Sequence, residues 1–395
     1  MRNLLVNNAN ILTMTGGKPY LGSILILDGI IKSIDFKDTD KSMLSKIDDL
    51  KIFDAKGNTV MPGLIDAHCH IGMWNESIGF EGEDGNEETD PVTPHLRAID
   101  GIYHDDRYFT EAMMNGITTV VTGPGSANVL GGQFAALNTF GNCVDDMILK
   151  APVAIKAALG ENPKAVYSEK KQMPTTRMSI AALIREALYE ATDYMNEKEN
   201  YINDPAENEK PKYDLKLEAL IPLLQRKIPL KIHAHRADDI ATAIRLKNEF
   251  NLWITIEHCT EGHLITDLLI KSNVMVTCGP IISDRSKPEL RNLISENAGI
   301  LSKAGIIVAI ITDHPETPIG YLTLSAALAV KAGMDKEDAL KSITINAAKV
   351  CGIEEYVGSI EVGKHGDLIV IDGELLDIST NVLATIINGE VVYAK

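Results

Sequence analysis

Asp66-Ala67-His68-Cys69-His70 follows the apolar run VMPGLI and is the strongest chemical signal in the chain. Side chains two apart on an extended segment point to the same side, so His68 and His70 converge on one point. Imidazole nitrogens paired this way suit Zn²⁺, Fe²⁺, Mn²⁺ or Co²⁺. A lone His-x-His is also an ordinary loop sequence, so the context decides. Of the ten His, most stand at the ends of predicted strands. His233 and His235 close PLKIHAH, His258 closes WITIEHC, and Asp313-His314 follows IIVAIIT. Glu161 comes just after VAIKAAL. A random scatter would not gather these groups at one rim, and a metal site is expected there.

The elements that must position these residues form a regular series. Short apolar strands alternate with longer helical segments between residues 59 and 354, the pattern of parallel β/α units. Eight strands are expected: 59–66, 117–123, 134–140, 153–159, 229–235, 253–259, 274–280 and 306–312. Eight predicts an α/β fold, a closed (β/α)₈ barrel of the TIM type with its site at the C-terminal mouth. The spacing is uneven, because only the Gly-rich segment Gly123 to Gly132 links the second and third strands. A charged helical stretch, Ser179 to Leu224, lies between the fourth and fifth, and EKENYINDPAENEKPK within it reads as an exposed loop or lid. Residues 1–58 and 355–395 are rich in strand signals, with Asn388-Gly389 marking a tight hairpin. They predict one small β-sandwich domain built from both termini.

Composition excludes several classes of function. Of 395 residues, 45% are hydrophobic and 24% charged, so the chain is globular and not disordered. Lys+Arg 38 against Asp+Glu 55 leaves −17, a surface that repels nucleic acid and anionic membranes. The five Cys are scattered and form no CxxC pair, which fits free thiols in a reducing, cytoplasmic setting. The start of the sequence does not read as a signal peptide, and no apolar run reaches a membrane span. A small-molecule substrate and a homo-oligomer are the expected partners.

VMPGLIDAHCH, the HAH and EHC strand ends, ITDH and the tail ITINAAKVCGIEEYVGSIEVGKHGDLIVID resemble the amidohydrolase superfamily. GITTVVTGPGSANVLGGQ with ALGENPK is similar, more narrowly, to its imidazolonepropionase-related branch. The resemblance covers nearly the whole chain. It implies a metal-dependent hydrolase with one or two divalent transition metals per chain, zinc first, with Fe, Mn or Co as alternatives. It also implies the ligands His68, His70, a fourth-strand group, His233, His258 and Asp313. Relatives use a Lys carboxylated by CO₂, a Glu, or nothing at the fourth strand. Lys156 and Glu161 compete for that place here, and Glu161 is preferred as a carboxylate nearer the strand end.

The remaining candidates carry two readings each. His235 shares a face with His233 and would contact substrate or stabilise an oxyanion, or else brace a lid. The loop Gly123 to Asn128 could lend polar groups to substrate, Asn128 among them, or be only a tight turn. Arg177 could pair with a substrate carboxylate or brace its own helix. Three functions compete. The first is hydrolysis of an amide, cyclic amide or related C–N bond, with metal lowering the pKa of water to about 7 and Asp313 shuttling the proton. The second is deamination at the same centre, and the third a barrel without catalysis, disfavoured because every expected ligand position is filled. The substrate itself is not legible.

Overall fold

The structure is a computed structural model describing residues 2–34, 44, 47–74 and 79–395. Five strands open the chain: β1 (Leu4–Ile11), β2 (Tyr20–Leu27), β3 (Ile30–Ile34), β4 (Lys51–Asp54) and β5 (Thr59–Pro62). Eight follow with helices between most of them: β6 (Leu64–Cys69), β7 (Ile117–Thr122), β8 (Leu130–Asn138), β9 (Ile148–Ala158), β10 (Leu230–Ala234), β11 (Ile254–His258), β12 (Met275–Cys278) and β13 (Val308–Ile310). Three close it: β14 (Leu368–Ile371), β15 (Val382–Ile387) and β16 (Glu390–Ala394).

Strands from both termini share one sheet in the order β16-β15-β14-β5-β1-β2-β3, with β4 on β1. The join is the antiparallel pair of β14 with β5. The expected first barrel strand, 59–66, is therefore divided at Gly63: β5 serves the terminal sheet and β6 the barrel. Gly63 permits this corner because a Cβ there would lie 2.1 Å from Thr118 Oγ1. The β15–β16 turn places Asn388 at φ 50° and Gly389 at φ 73°, the left-handed pair that a two-residue hairpin requires.

The barrel sheet runs β13-β12-β11-β10-β9-β8-β7-β6. Its neighbours are parallel except around β8, which is antiparallel to both β7 and β9. The reason is connection length. A parallel crossover needs a dozen or more residues, and neither the link from Thr122 to Leu130 nor that from Asn138 to Ile148 allows it. The reversal turns Asn138 away from the mouth and toward the terminal sheet. There it donates to Asp367 Oδ2 (3.2 Å) and accepts from Asn388 Nδ2 (3.0 Å). The ends of the barrel sheet meet through backbone hydrogen bonds from Asp313 N to His68 O (3.2 Å) and from His70 N to His314 O (2.8 Å).

Every residue of β6, β7, β10 and β11 is buried, as parallel strands covered on both faces must be. The long charged stretch folds as helices Arg177–Asn203 and Leu215–Leu224, capped by Thr176 and Asp214. Half of the expected exposed loop is thus helix, and the irregular part begins at Asp204. All five Cys are free. Among the described residues, no helix is long and apolar enough to cross a membrane.

Candidate metal centre

The barrel strands deliver His68, His70, His233, His235, His258 and Asp313 to one mouth. Asp313 Oδ1 lies 3.5 Å from His68 Nε2 and 3.3 Å from His70 Nε2. The ring centroids of His233 and His258 are 4.5 Å apart, those of His68 and His258 5.6 Å. Two donor groups, each with its atoms within 4.8 Å of one another, emerge: His68, His258 and Asp313, and His233, His235 and His258. Two of these residues have left-handed backbone conformations at their strand ends. His258 has φ 71° and Asp313 φ 54°, left-handed values that a side chain with Cβ rarely adopts.

The rings are aimed by their outer nitrogens. His70 Nδ1 donates to Gly123 O (2.7 Å), and His258 Nδ1 donates to Gly279 O (2.8 Å). Carbonyls only accept, so in each ring Nδ1 carries a proton and Nε2 is the nitrogen turned toward the mouth. His233 Nδ1 is hydrogen-bonded to Ser126 Oγ (3.0 Å) and His235 Nδ1 to Thr260 Oγ1 (2.7 Å). Burial pushes His68, His233 and His235 well below the ordinary imidazole pKa, and His258 below it too. Neutral imidazole is the form that binds a metal. Burial opposes ionisation of Asp313, but the histidines around it, His258 first, outweigh that and hold its carboxyl well below the usual range.

Beneath the mouth lies a layer of charge that the sequence reading did not identify. Glu257 Oε2 sits 3.0 Å from His68 Nδ1 and 3.0 Å from Lys231 Nζ, all three side chains fully buried. Thr255 and Thr277 hydroxyls also donate to Glu257, at 2.5 and 3.1 Å. Such a carboxylate behind a histidine fixes the ring and directs its other nitrogen inward. Lys156 Nζ, also fully buried, approaches His68 Nε2 at 3.0 Å, and burial pushes its pKa down to about 8. Asp66 accepts from Thr312 N (3.2 Å) and Thr312 Oγ1 (2.5 Å), tying the chain just before Asp313 to β6. The available signal was a charged residue inside a buried apolar strand: Lys231 and Glu257 alternate inward within KIH and IEH.

Some expected residues stand elsewhere. Glu161 is not among the converging donors. Its carboxylate accepts from Glu289 N (3.3 Å), because it opens the helix after β9 and faces the neighbouring turn. Asn128 is buried between Thr93 and Tyr167, whose hydroxyl it accepts at 2.5 Å. Arg177 pairs with Asp239 at 3.0 Å and so braces its helix against helix Ala237–Phe250, which follows β10. Neither Asn128 nor Arg177 lines the cavity at the mouth. His235 does. That cavity measures about 540 Å³ and is walled also by His70, Trp74, His233, Lys287 and Asp313.

The donor set fits a divalent cation. Asp313 Oδ1 and His233 Nε2 are buried without a hydrogen-bond partner, and buried polar atoms are seldom left so. Nitrogen and carboxylate donors together suit zinc and its neighbours.

Likeness to known proteins extends over the same residues. The amidohydrolase family profile matches residues 59–392. Amidohydrolase tasK of Hapsidospora irregularis is 26% identical over 94% of this chain and 40% of that protein. An adenine deaminase of Listeria monocytogenes serotype 4b (strain F2365) is 26% identical over 98% of this chain and 57% of that one. The chain thus spans about half the length of these two relatives. An imidazolonepropionase of Treponema denticola is 23% identical over 91% of this chain and 87% of its own. The crystal structure of an amidohydrolase from Thermotoga maritima MSB8 superposes with TM-score 0.93 at 39% identity, covering 99% of this chain and 100% of that one. From β5 to β16, through every strand that carries a converging histidine, the chain belongs to the amidohydrolase family.

Proposed function

We propose that this chain hydrolyses an amide, cyclic amide or related C–N bond of a small molecule at a centre of one or two divalent transition metals, zinc first. The observation that carries this reading is the buried, unpartnered Asp313 Oδ1 between His68 and His70 at the cavity wall. His68, His70, His233, His258 and Asp313 would hold the metal. When bound, a divalent cation polarises a carbonyl and acidifies water. Asp313 accepts the proton of the attacking water and returns it to the departing nitrogen. Glu257 and Lys231 keep the His68 ring in place, and Trp74 and the Gly125–Ala127 loop limit access from outside.

For the fourth-strand position the distances favour Lys156 over Glu161. Lys156 lies 3.0 Å from His68 Nε2, and its lowered pKa leaves more of the neutral amine that adds to CO₂ to give a carbamate and a proton. The barrel that carries the site would run to residue 354 from Gly63, with residues 1–58 and 355–395 bracing it. A cytoplasmic setting is what we infer from the unpaired thiols. Deamination is the second reading, supported by the adenine deaminase likeness over 98% of the chain.

Elemental analysis of protein purified without chelator, joined to a screen of N-acyl amino acids, dipeptides, cyclic amides and ureas, tests the proposal. Zn, Fe, Mn or Co should be found, and new carboxylate should appear in the reacting wells. Ammonia without carboxylate would favour deamination instead. A His68→Ala/His70→Ala variant that keeps full metal content would sink the assignment of the centre.

A further inference from the structure

The cavity at the mouth carries one fixed cation. Among the described residues that line it, Lys287 is the only lysine or arginine. It stands in the segment after β12, and its side chain is 29% exposed. Its Nζ donates to Asn162 Oδ1 (2.9 Å) and pairs with Glu289 Oε1 (2.8 Å). Asn162 lies in the first turn of the helix after β9. Because β10 and β11 stand between β9 and β12 in the sheet, the segment that carries Lys287 crosses the mouth to reach it. Glu161 and Glu289 pin the crossing a second time, as the carboxylate of each accepts from the backbone N–H of the other, at 3.3 and 3.1 Å.

These contacts fix the ammonium without saturating it. An ammonium has three N–H donors; Glu289 and Asn162 take two, and the third is left for the cavity. Asn162 also lines the cavity, and with Oδ1 engaged by Lys287 it keeps its amide N–H groups for a further acceptor. A lysine normally loses rotamer freedom when it grips an anion. Here that freedom is already gone. Of the carboxylates in the wall outside this cluster and the metal set, Glu88 pairs with Lys170 (2.8 Å), and Glu316 is exposed, where salt screens it. Lys287 also stands close to the proposed centre. Glu289 Oε1, its partner, lies 3.6 Å from both His233 Nε2 and His235 Nε2, so a single oxygen separates the ammonium from the ring nitrogens.

We propose that Lys287, with Asn162, is an anion subsite of this mouth, and that the substrate is an N-acyl α-amino acid or a dipeptide whose free carboxylate it holds. The proposal rests on reading the chain as an amide hydrolase and adds the substrate class. In such compounds one saturated carbon separates the carboxylate from the scissile nitrogen, which suits a cation this near the centre. A neutral analogue forfeits the charge-assisted hydrogen bond to the third N–H, so the site selects against it.

Full-length protein loaded with Zn²⁺ is titrated by calorimetry with a panel of N-acetyl amino acids and with the matching carboxamides, and amine release is followed in the same mixtures. The acids should bind about tenfold or more tightly than their carboxamides. Lys287→Gln keeps an N–H for Glu289 but no charge. It should weaken the acids by roughly 10–100-fold and leave the carboxamides unchanged. Equal binding of acids and carboxamides by wild type, or binding of neither, overturns the proposal. So does an acid preference that survives in Lys287→Gln, since the metal would then be holding the carboxylate. If that variant does not fold, Asn162→Asp sets a like charge beside the subsite, and unchanged acid affinity there overturns the proposal equally. The two readings fail separately. Acid binding that depends on Lys287 but releases no amine refutes hydrolysis and keeps the subsite, whereas amine release without acid preference refutes the subsite and keeps hydrolysis.

Discussion

The two sheets of this molecule bury different things. The terminal sheet packs Leu4, Val6, Ile24, Ile26 and Ile386 into an aliphatic core. The barrel sheet, with the same number of strands, places Asp66, His68, Lys156, Lys231 and Glu257 at 0% exposure. Removing a charge from water costs several kcal/mol per ion unless partners compensate it. The terminal sheet meets that cost chiefly at Asp367, which accepts from Asn138 and from Asn388 N at the junction with the barrel. The barrel meets it with close pairs, which hold donor atoms in fixed directions but leave little tolerance for losing one partner. Both sheets thus bury apolar cores, but the candidate chemistry is confined to the barrel.

Substitutions in each sheet can break or sharpen this contrast. The largest effect is expected at Asp313, where Asn preserves shape but accepts no proton. Asp313→Asn should keep its metal and its melting temperature while kcat falls by roughly 10²–10⁴. Near-normal turnover with a loss of about 1 kcal/mol in stability would show instead that Asp313 only caps its turn. Next comes the charged layer. Glu257→Leu leaves Lys231 buried without its carboxylate and should cost about 3–5 kcal/mol in denaturant unfolding. The double variant Lys231→Met/Glu257→Leu should recover part of that loss, and strict additivity would contradict a coupled pair. In the terminal sheet, Ile386→Val should cost about 0.5–1.5 kcal/mol with metal content unchanged. A drop in bound metal there would dissolve the separation between the sheets.

The smallest effect lies outside both sheets. Burial works against ionised Glu218, but Lys198 and Tyr194 more than offset it and hold its pKa below the usual 4.5. Its contribution is therefore present above pH 4.5 and lost as pH falls through the lower folded value. Glu218→Gln should be less stable than wild type by about 0.2–1 kcal/mol at pH 7. The two proteins should converge on acidification. A gap that persists at pH 3 would place the effect in packing rather than charge.

Much of this was legible in the sequence, for identifiable reasons. His68, His70, His233, His258 and Asp313 could be located because each ends an apolar strand, and strand ends of a barrel face one mouth. The direction of β8 could not be read from periodicity, which is the same for a strand run either way, although the short link after Thr122 carried the information. Lys156 was discounted for its depth in the strand, yet a lysine is long enough for its Nζ to reach the level of His68 Nε2. The sequence points to Glu161 as a metal ligand and to Asn128 and Arg177 as substrate contacts, whereas helix orientation and loop packing point them at Glu289, Tyr167 and Asp239. Glu289 lies in an irregular turn, where neither period nor motif marks an inward side chain.

The two hydrogen bonds at the seam of the barrel, Asp313 N to His68 O and His70 N to His314 O, involve the very residues whose side chains converge in the mouth. The first and last barrel strands are the farthest apart along the chain, so their meeting carries the largest loop-closure entropy and belongs late in folding. An incompletely wound chain has His68 and Asp313 on separate edges and cannot gather the donors. Competence for a cation therefore arrives with the final step of winding, and a bound ion would act as a clasp on the finished ring.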